Sequence, residues 1–246
     1  LELGFAKGTS VCYMAAALDE LGHGNITGVD IEKSYFMEPN IENLIDRTGL
    51  GKYINVVREV NSYNWFLNRE IERNSDKNYN CEPVYDFIFI DGPKDWTTDG
   101  FAFFLANKLL KKDGWIVFDD YEWNSYKEEG FKFERGIDAS KFSDDQNSIP
   151  NVKEVFQKLV MQHPDYSNFN IMDDTLAWAQ KTKSDNTNEG LSKNQIDKLK
   201  NFQRTYKSDL DLLQQRISQN QELIENNKKS LSALKRSYQD IEKKQS

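Results

Sequence analysis

Residues 1–10, LELGFAKGTS, contain an apolar triplet followed by two glycines. We predict a strand over the first three residues, a turn that holds Gly4 and Gly8, and a helix that begins directly afterwards. Backbone N–H groups at the start of a helix have no partners within the helix, so they can meet a polar or anionic part of a ligand. The stretch therefore indicates a cofactor loop, although similar turns join strands to helices where no ligand binds. Because the chain does not begin with methionine, we expect that it is truncated before this strand.

Strands and helices alternate from Leu1 to Tyr121, as the hydrophobic spacing indicates, and a polar, irregular segment then extends from Glu122 to Pro150 before the last helix and hairpin. We predict five helices, SVCYMAAALDELG (10–22), NIENLIDRTG (40–49), SYNWFLNREIERN (62–74), TDGFAFFLANKLLKKDG (98–114) and NVKEVFQKLVMQH (151–163). We predict strands for NITGVDI (25–31), YINVVRE (53–59), VYDFIFID (84–91) and WIVFDDY (115–121). This alternation is typical of βαβ units and predicts an α/β fold with a doubly wound, mostly parallel sheet. The segment FNIMDDTLAWAQK (169–181) predicts a terminal antiparallel hairpin with its turn at Asp173-Asp174.

Composition excludes several classes of protein. The 246 residues are 38% hydrophobic, which is enough for one sizeable core and an appendage. A formal net charge of −8 argues against a nucleic-acid partner held by attraction to phosphates. Cys12 and Cys81 are the only cysteines, too few for a disulfide framework or a thiolate zinc site, and we expect a reducing, cytoplasmic location. No apolar run approaches the roughly 18 residues that a membrane span requires.

The C-terminal part differs from the rest in charge and in pattern. Residues 191–246 contain 12 Lys and Arg against 7 Asp and Glu, whereas residues 1–190 contain 20 against 33. We therefore divide the chain into a domain at 1–181, a polar linker at 182–190 and a helical tail at 191–246. Core positions recur every three or four residues from Leu210 to Ile241, with Asn220 and Asn227 among them. These heptads predict a coiled coil that joins copies of the chain or a partner protein, the alternative being one amphipathic helix on the domain.

Polar residues end the predicted strands, at the edge where open α/β sheets bind ligands. Glu2 and Gly4 end the first strand, and Asp30 ends the second strand, beyond the helix that follows Gly8. A carboxylate at this position can accept hydrogen bonds from ribose hydroxyls, whereas an isolated strand-end Asp is more often a helix N-cap. The turn lacks the three-glycine phosphate fingerprint, so a nucleoside cofactor without phosphates fits it better than a pyrophosphate does.

Three aspartates end two further strands. Asp91 ends VYDFIFID, and Asp119-Asp120 follow the apolar run WIVF. Adjacent parallel strands would bring the three carboxylates to one edge of the sheet, where they repel each other unless a cation joins them. Oxygen ligands suit Mg²⁺, Ca²⁺ or Mn²⁺ rather than zinc. The alternatives are a simple turn at Asp91-Gly92, an N-cap pair at Asp119-Asp120 and a solvated charge at Lys94.

In order along the chain, ELGFAKGTS, GVDI, DFIFIDGPKDW and LLKKDGWIVFDDYEW resemble the successive motifs of class I S-adenosylmethionine (SAM)-dependent methyltransferases. The resemblance is closest to cation-dependent O-methyltransferases of the catechol and caffeoyl-CoA types and to bacterial sugar O-methyltransferases. It covers residues 1–181 and none of the tail. It implies a Rossmann-like fold, SAM as cofactor, and a bound Mg²⁺, Ca²⁺ or Mn²⁺ ion.

The resemblance also implies a role for individual residues. It surrounds the methionine part of SAM with four residues of the first motif, Glu2, Gly4, Gly8 and Ser10. Asp30 would hold the ribose, and Asn61, in the turn after the third strand, would border the adenine. Asp91 would lie against both cofactor and cation, and Asp119 and Asp120 would complete the cation site. Lys94 would be the base that removes the proton from a hydroxyl whose pKa the cation has lowered.

We therefore expect a SAM-dependent O-methyltransferase that acts on a hydroxyl of a sugar, a glycan or a catechol-like small molecule. Two alternatives stay open. One is a metal-independent methyltransferase of the same fold, in which the three aspartates are structural. The other is a coiled-coil scaffold whose globular part binds the cofactor without turnover.

Overall fold

The computed structural model describes residues 1–124 and 143–183, in which strands and helices alternate. The strands are β1 (Glu2–Leu3), β2 (Ile26–Ile31), β3 (Ile54–Glu59), β4 (Tyr85–Ile90), β5 (Leu110–Phe118), β6 (Tyr166–Met172) and β7 (Leu176–Lys181). The helices are α1 (Thr9–Leu21), α2 (Ile41–Thr48), α3 (Tyr63–Arg73), α4 (Trp96–Leu109), α5 (Asp144–Ser148) and α6 (Asn151–Val155). Short 3₁₀ helices lie at Glu32–Phe36 and Gly51–Tyr53, and a π-helical turn, Phe156–Val160, continues α6. The predicted coiled-coil tail, and all of the predicted linker after Lys183, lie outside the described residues.

The seven strands form one sheet in the order β3-β2-β1-β4-β5-β7-β6. The first five strands of this order are parallel to one another, whereas β7 pairs antiparallel with both β5 and β6. The predicted mostly parallel sheet with a terminal hairpin is therefore confirmed. The strand order reverses between β1 and β4, and ligands of open α/β sheets bind outside the carboxyl ends of the strands at such a reversal.

Helix ends are fixed by the residue types that flank them. Gly22 ends α1 in the left-handed conformation, at φ 73°. The side chain of Ser62 accepts a hydrogen bond from the Asn64 N–H and caps α3, and Asp95 caps α4 in the same way. Both caps lie at the carboxyl edge of the sheet, so the segments that follow β3 and β4 are anchored where a ligand would bind.

Two hydrophobic clusters pack against the sheet. The larger one joins β1, β4 and β5 to residues of α3, α4 and α6, and its fully buried members include Leu67, Phe103 and Phe156. The smaller one joins Phe5 and Ile26 to α1 and α2. Because burial of apolar area is the main favourable term in folding, these clusters fix the sheet edge that presents the polar residues.

One predicted boundary is wrong. The segment LLKKDG was predicted as the end of a helix, but β5 begins at Leu110, which pairs with Tyr85 of β4. Asp113 has a left-handed backbone, at φ 66°, and a Cβ on Gly114 would lie 2.8 Å from the Asp86 carbonyl oxygen. The gain from strand pairing and from burying Leu110 outweighs the helical preference of the two lysines.

The hairpin turn agrees with the prediction. Asp173 and Asp174 both have positive φ, at 50° and 54°, and connect β6 to β7. Aspartate tolerates this conformation better than most residues do. Among the helices of the described residues, none has the length and apolar character to cross a membrane.

Candidate functional site

The glycine turn lies directly against the end of β4. Gly4 and Gly8 have φ values of 91° and 89°, in the left-handed region that favours glycine. A Cβ on Gly4 would lie 2.2 Å from the Asp91 carbonyl oxygen. Gly8 is the N-cap residue of α1 and has no side chain, so it makes no side-chain hydrogen bond to the N–H groups of the first turn. The turn therefore brings the start of α1 and the predicted cation ligand Asp91 to one place.

Glu2 is a fully buried acid beside this turn. Its Oε1 accepts a hydrogen bond from the Ser10 hydroxyl, and its Oε2 is buried without a partner among the described residues. Burial raises the pKa of Glu2 to about 8, and the hydrogen bond from Ser10 opposes this shift. A buried carboxylate with one unsatisfied oxygen is costly by itself, so it suits an approaching cationic group.

Asp30 joins β2 to the glycine turn. Its Oδ2 accepts from the Ala6 N–H at 2.6 Å, and its Oδ1 accepts from the Ile31 N–H at 2.6 Å. Burial raises the pKa of Asp30, whereas these backbone hydrogen bonds lower it. Asp30 is therefore no helix N-cap: it holds the loop, and each carboxylate oxygen has lone-pair capacity left for a second donor.

The three predicted cation ligands do come together. Asp91 follows β4, Asp119 and Asp120 follow β5, and the Asp119 N–H donates to the Ile90 carbonyl at 3.0 Å. One carboxylate oxygen from each of the three lies within 4.8 Å of the others. Burial raises the pKa of Asp119 to about 6, with the charge of Lys94 opposing the shift and Asp91 adding to it. Close, half-buried carboxylates of this kind are oxygen donors suited to a hard divalent cation.

Lys94 lies among these carboxylates. Its side chain is only 1% exposed, and its Nζ lies 2.5 Å from Asp91 Oδ1, 3.4 Å from Asp120 and 4.0 Å from Asp119. Burial alone would lower the pKa of Lys94, but the charges of the three aspartates outweigh it and raise the pKa. Lys94 is thus an ammonium ion in this cluster, and the alternative interpretation of Lys94 as a solvated charge is wrong because its side chain is buried.

Asn61, the predicted adenine neighbour, lies exposed in the turn between β3 and α3. Glu59 at the start of this turn pairs with Arg69 of α3, and Ser62 at its end caps α3. The turn is therefore anchored at both ends, and the exposed Asn61 is accessible to a ligand at the same edge of the sheet as Asp30.

The sequence analysis missed two residues beneath the cluster, Tyr63 and Asp99. The Tyr63 hydroxyl donates a buried hydrogen bond to Asp99 Oδ1. Burial raises the pKa of Asp99 to about 7, which the hydrogen bond from Tyr63 and the charge of Lys94 oppose. Asp99 lies in α4 between a threonine and a glycine, and this pattern suggests no function. Its burial distinguishes it from the exposed aspartates, but a single sequence does not reveal burial.

Comparison with known protein families gives a match in the N-terminal part of the chain. Residues 1–121 match a family model described as a methyltransferase domain. No curated protein matches the chain.

Several solved structures are similar in fold. The O-methyltransferase TomG from Streptomyces achromogenes, in complex with SAM, is 16% identical, with 74% of this chain and 72% of that chain covered and a TM-score of 0.48. An O-methyltransferase from Bacillus cereus, in complex with SAH, is 20% identical, with 73% and 72% covered and a TM-score of 0.47. The SAH-bound methyltransferase PaMTH1 from Podospora anserina is 17% identical, with 74% and 70% covered and a TM-score of 0.49.

Proposed function

Since residues 1–121 match a methyltransferase domain, we propose that the chain is a SAM-dependent enzyme that methylates a hydroxyl oxygen of its acceptor with the help of a divalent cation. The observation that supports the cation is the cluster of Asp91, Asp119 and Asp120 around the Lys94 ammonium. Three ionised carboxylates and one ammonium leave two negative charges, which one divalent cation balances. The residues therefore fit Mg²⁺, Ca²⁺ or Mn²⁺ in both donor type and charge.

The first motif and Asp30 fit SAM. The unsatisfied Oε2 of Glu2 suits the ammonium of the methionine part, and Ser10 orients that carboxylate. Gly4 permits the close approach of the glycine turn to the backbone of Asp91. Asp30 would accept hydrogen bonds from the ribose hydroxyls, and Gly8 and Asn61 would line the methionine and adenine ends.

SAM supplies a methyl group on a positively charged sulfur, and the cation supplies positive charge that lowers the pKa of a bound hydroxyl. In the transfer, the acceptor oxygen forms a bond to the methyl carbon while the carbon–sulfur bond breaks, and the hydroxyl proton must be removed. Lys94 is the proposed base. Its Nζ first has to lose a proton, which its raised pKa opposes and a nearby divalent charge favours. Asp91 then holds the neutral amine by the same contact that holds the ammonium.

We propose that the acceptor presents two vicinal oxygens, as a sugar, a glycan or a catechol-like ring does. Such an acceptor would offer oxygen donors to a cation held by Asp91, Asp119 and Asp120, and holding it there would fix the reacting hydroxyl relative to the methyl group.

A second candidate function is a metal-independent methyltransferase of the same fold. The observation that favours it is the ammonium of Lys94, which already neutralises part of the carboxylate charge and forms a short contact with Asp91. In that case the aspartates and Lys94 would form an ionic network that fixes the ends of β4 and β5.

One experiment separates the two candidates. We would incubate the protein with SAM and a panel of sugar nucleotides, glycan fragments and catechols, with Mg²⁺ or with EDTA, and detect methylated products by mass spectrometry. If methyl transfer depends on the cation, a product should form with Mg²⁺ but not with EDTA, and the Asp119→Ala variant should form no product. Asp86→Ala is the matched control, because Asp86 lies at the amino end of β4 and pairs with Lys111. Equal turnover in EDTA and in Mg²⁺ would support the metal-independent candidate.

We also propose that residues 191–246 associate as a coiled coil. The support is the heptad spacing from Leu210 to Ile241 and the two asparagines at core positions. A second copy of the chain or a partner protein would pack against these core positions.

A further inference from the structure

We propose that Tyr63 and Asp99 are positioning residues whose buried hydrogen bond holds Lys94 among the three aspartates. The inference rests on the proposed function only for the meaning of that cluster as a cation site. Among the described residues, no hydrogen bond or ion pair joins either residue to the predicted ligands of the cation. Both support the short segment between β4 and α4, which contains Gly92 and Lys94.

The hydrogen bond joins the starts of two helices at the edge of the sheet. Tyr63 is the first residue of α3, and Asp99 lies in the first turns of α4. Both side chains are buried, at 4% and 1% exposure. A second contact, from Asn64 Nδ2 to the Thr98 carbonyl at 3.2 Å, runs between the same two helices. The helix starts are therefore fixed relative to each other directly beneath the segment that contains Lys94.

Gly92 shows how closely this pair supports the segment. A Cβ on Gly92 would lie 2.1 Å from the Tyr63 hydroxyl oxygen and 2.7 Å from Asp99 Oδ1. The α-carbon of Gly92 thus rests on the hydrogen bond itself. A shift of the tyrosine ring or of the carboxylate would therefore displace Gly92, which directly follows Asp91 and lies two residues before Lys94.

Lys94 needs such support because its own conformation is unfavourable. It has a φ of 61°, in the left-handed region that a long side chain rarely adopts. Its side chain is also 1% exposed, and a buried ammonium tolerates little displacement from its partners. Strained residues of this kind persist only where the surroundings determine them, and the rigid surface beneath Gly92 is one such determinant.

Removing the hydrogen bond should therefore loosen Lys94 and leave the rest of the fold in place. Tyr63→Phe deletes the donor and keeps the ring, and Asp99→Ala deletes the acceptor, so the same bond is lost by two routes. Asp99→Asn keeps an acceptor for the tyrosine hydroxyl and serves as the conservative variant. Tyr85→Phe is the matched control, because the Tyr85 hydroxyl donates to Glu70 Oε2 at 3.1 Å at the amino end of β4.

The readout is acylation of single lysines by acetic anhydride, followed by peptide mass spectrometry. Lys94 is compared with Lys181, which is also fully buried and donates to the Asn107 carbonyl at 2.6 Å. Local loosening raises the labelling rate of Lys94 alone, whereas a loss of global stability raises both rates. We expect Lys94 to react about fivefold to tenfold faster in Tyr63→Phe and in Asp99→Ala, with Lys181 unchanged.

Asp99→Asn should stay within about twofold of the wild-type labelling rate, and Tyr85→Phe should change neither lysine. Equal protection of Lys94 in Tyr63→Phe and in the wild type would overturn the proposal. So would a parallel rise at Lys94 and Lys181, because that result describes stability and not positioning. Melting temperatures establish that each variant is folded at the labelling temperature.

Binding of Mn²⁺ to the same proteins separates this proposal from the proposed function. If the wild type binds Mn²⁺, we expect the Mn²⁺ affinity of Tyr63→Phe to fall about fivefold and that of Tyr85→Phe to be unchanged. If the wild type does not bind Mn²⁺, the proposed cation site is wrong, while the ratio of Lys94 to Lys181 labelling still decides whether Tyr63 and Asp99 position Lys94.

Discussion

Replacing Asp30 by alanine should weaken binding of the nucleoside part of the cofactor. Asp30 accepts two backbone hydrogen bonds, from Ala6 and Ile31, both at 2.6 Å, and each of its oxygens retains a lone pair for a ribose hydroxyl. A hydrogen bond to a charged group contributes about 1.5–3 kcal/mol. The dissociation constant of S-adenosylhomocysteine should therefore rise about ten- to hundredfold in Asp30→Ala.

The measurement is isothermal titration calorimetry with S-adenosylhomocysteine, which avoids turnover. Asp86→Ala is the control, because this exposed aspartate lies on β4 at the opposite edge of the sheet and pairs with Lys111. We expect the control to bind the ligand as the wild type does, since its side chain meets solvent and one lysine.

A weaker affinity of Asp30→Ala has a second possible origin, because Asp30 also fixes Ala6 in the glycine turn. An analogue of S-adenosylhomocysteine that lacks one ribose hydroxyl resolves this in a double-mutant cycle. If Asp30 contacts that hydroxyl, the analogue binds more weakly to the wild type but no more weakly to Asp30→Ala, with a coupling of about 1 kcal/mol or more. Equal losses in both proteins, for analogues lacking either hydroxyl, would refute the contact and leave Asp30 as a support of the loop.

Three further predictions concern the cluster and the tail. Mn²⁺ affinity should rise as pH increases through about 6, where Asp119 ionises, and a flat profile between pH values well below and above 6 would contradict its role as a ligand. Lys94→Met should bind Mn²⁺ more tightly in titrations but lose methyl transfer, whereas unchanged turnover would exclude the lysine as base. Truncation after Gly190 should lower the oligomeric order that light scattering measures, and identical scattering of the full and truncated chains would contradict association. Replacing both Asn220 and Asn227 by leucine should raise the stability of the tail and make its oligomeric state less specific.

Much of the fold could be predicted because the relevant signals are local. Glycines at Gly4 and Gly8, apolar runs of strand length and capping residues such as Asp95 each act within a few residues, and together they determine the order of strands and helices. The start of β5 could not be predicted in this way. It depends on Tyr85, which lies before α4 in the chain, pairs with Leu110 and draws it out of the helical pattern. Pairing between distant segments competes with local preference, and only the folded chain shows which one dominates.

In the candidate site, too, some features could be predicted from the sequence and others depend on contacts between distant segments. The convergence of Asp91, Asp119 and Asp120 could be predicted, because adjacent parallel strands end at one edge of the sheet. The support from Tyr63 and Asp99 could not, since it depends on how two helices pack beneath a loop. A tyrosine and an aspartate 36 residues apart have no spacing that a sequence pattern would detect.

The position of Lys94 is the feature that most constrains the chemistry. A lysine between three carboxylates looks at first like the cation of the site, and its raised pKa agrees with that interpretation. The charges do not balance, however, because three ionised aspartates and one ammonium leave two negative charges in a half-buried cluster. Protonation of Asp119, whose pKa burial raises to about 6, relieves this repulsion only in acid. At neutral pH the cluster therefore retains two negative charges, which one divalent cation would balance, and a cation bound there would in turn destabilise the ammonium and favour the neutral amine. The proposed cation site and the proposed role of Lys94 as base are therefore linked, because on this argument the lysine would become a base only when a cation is bound.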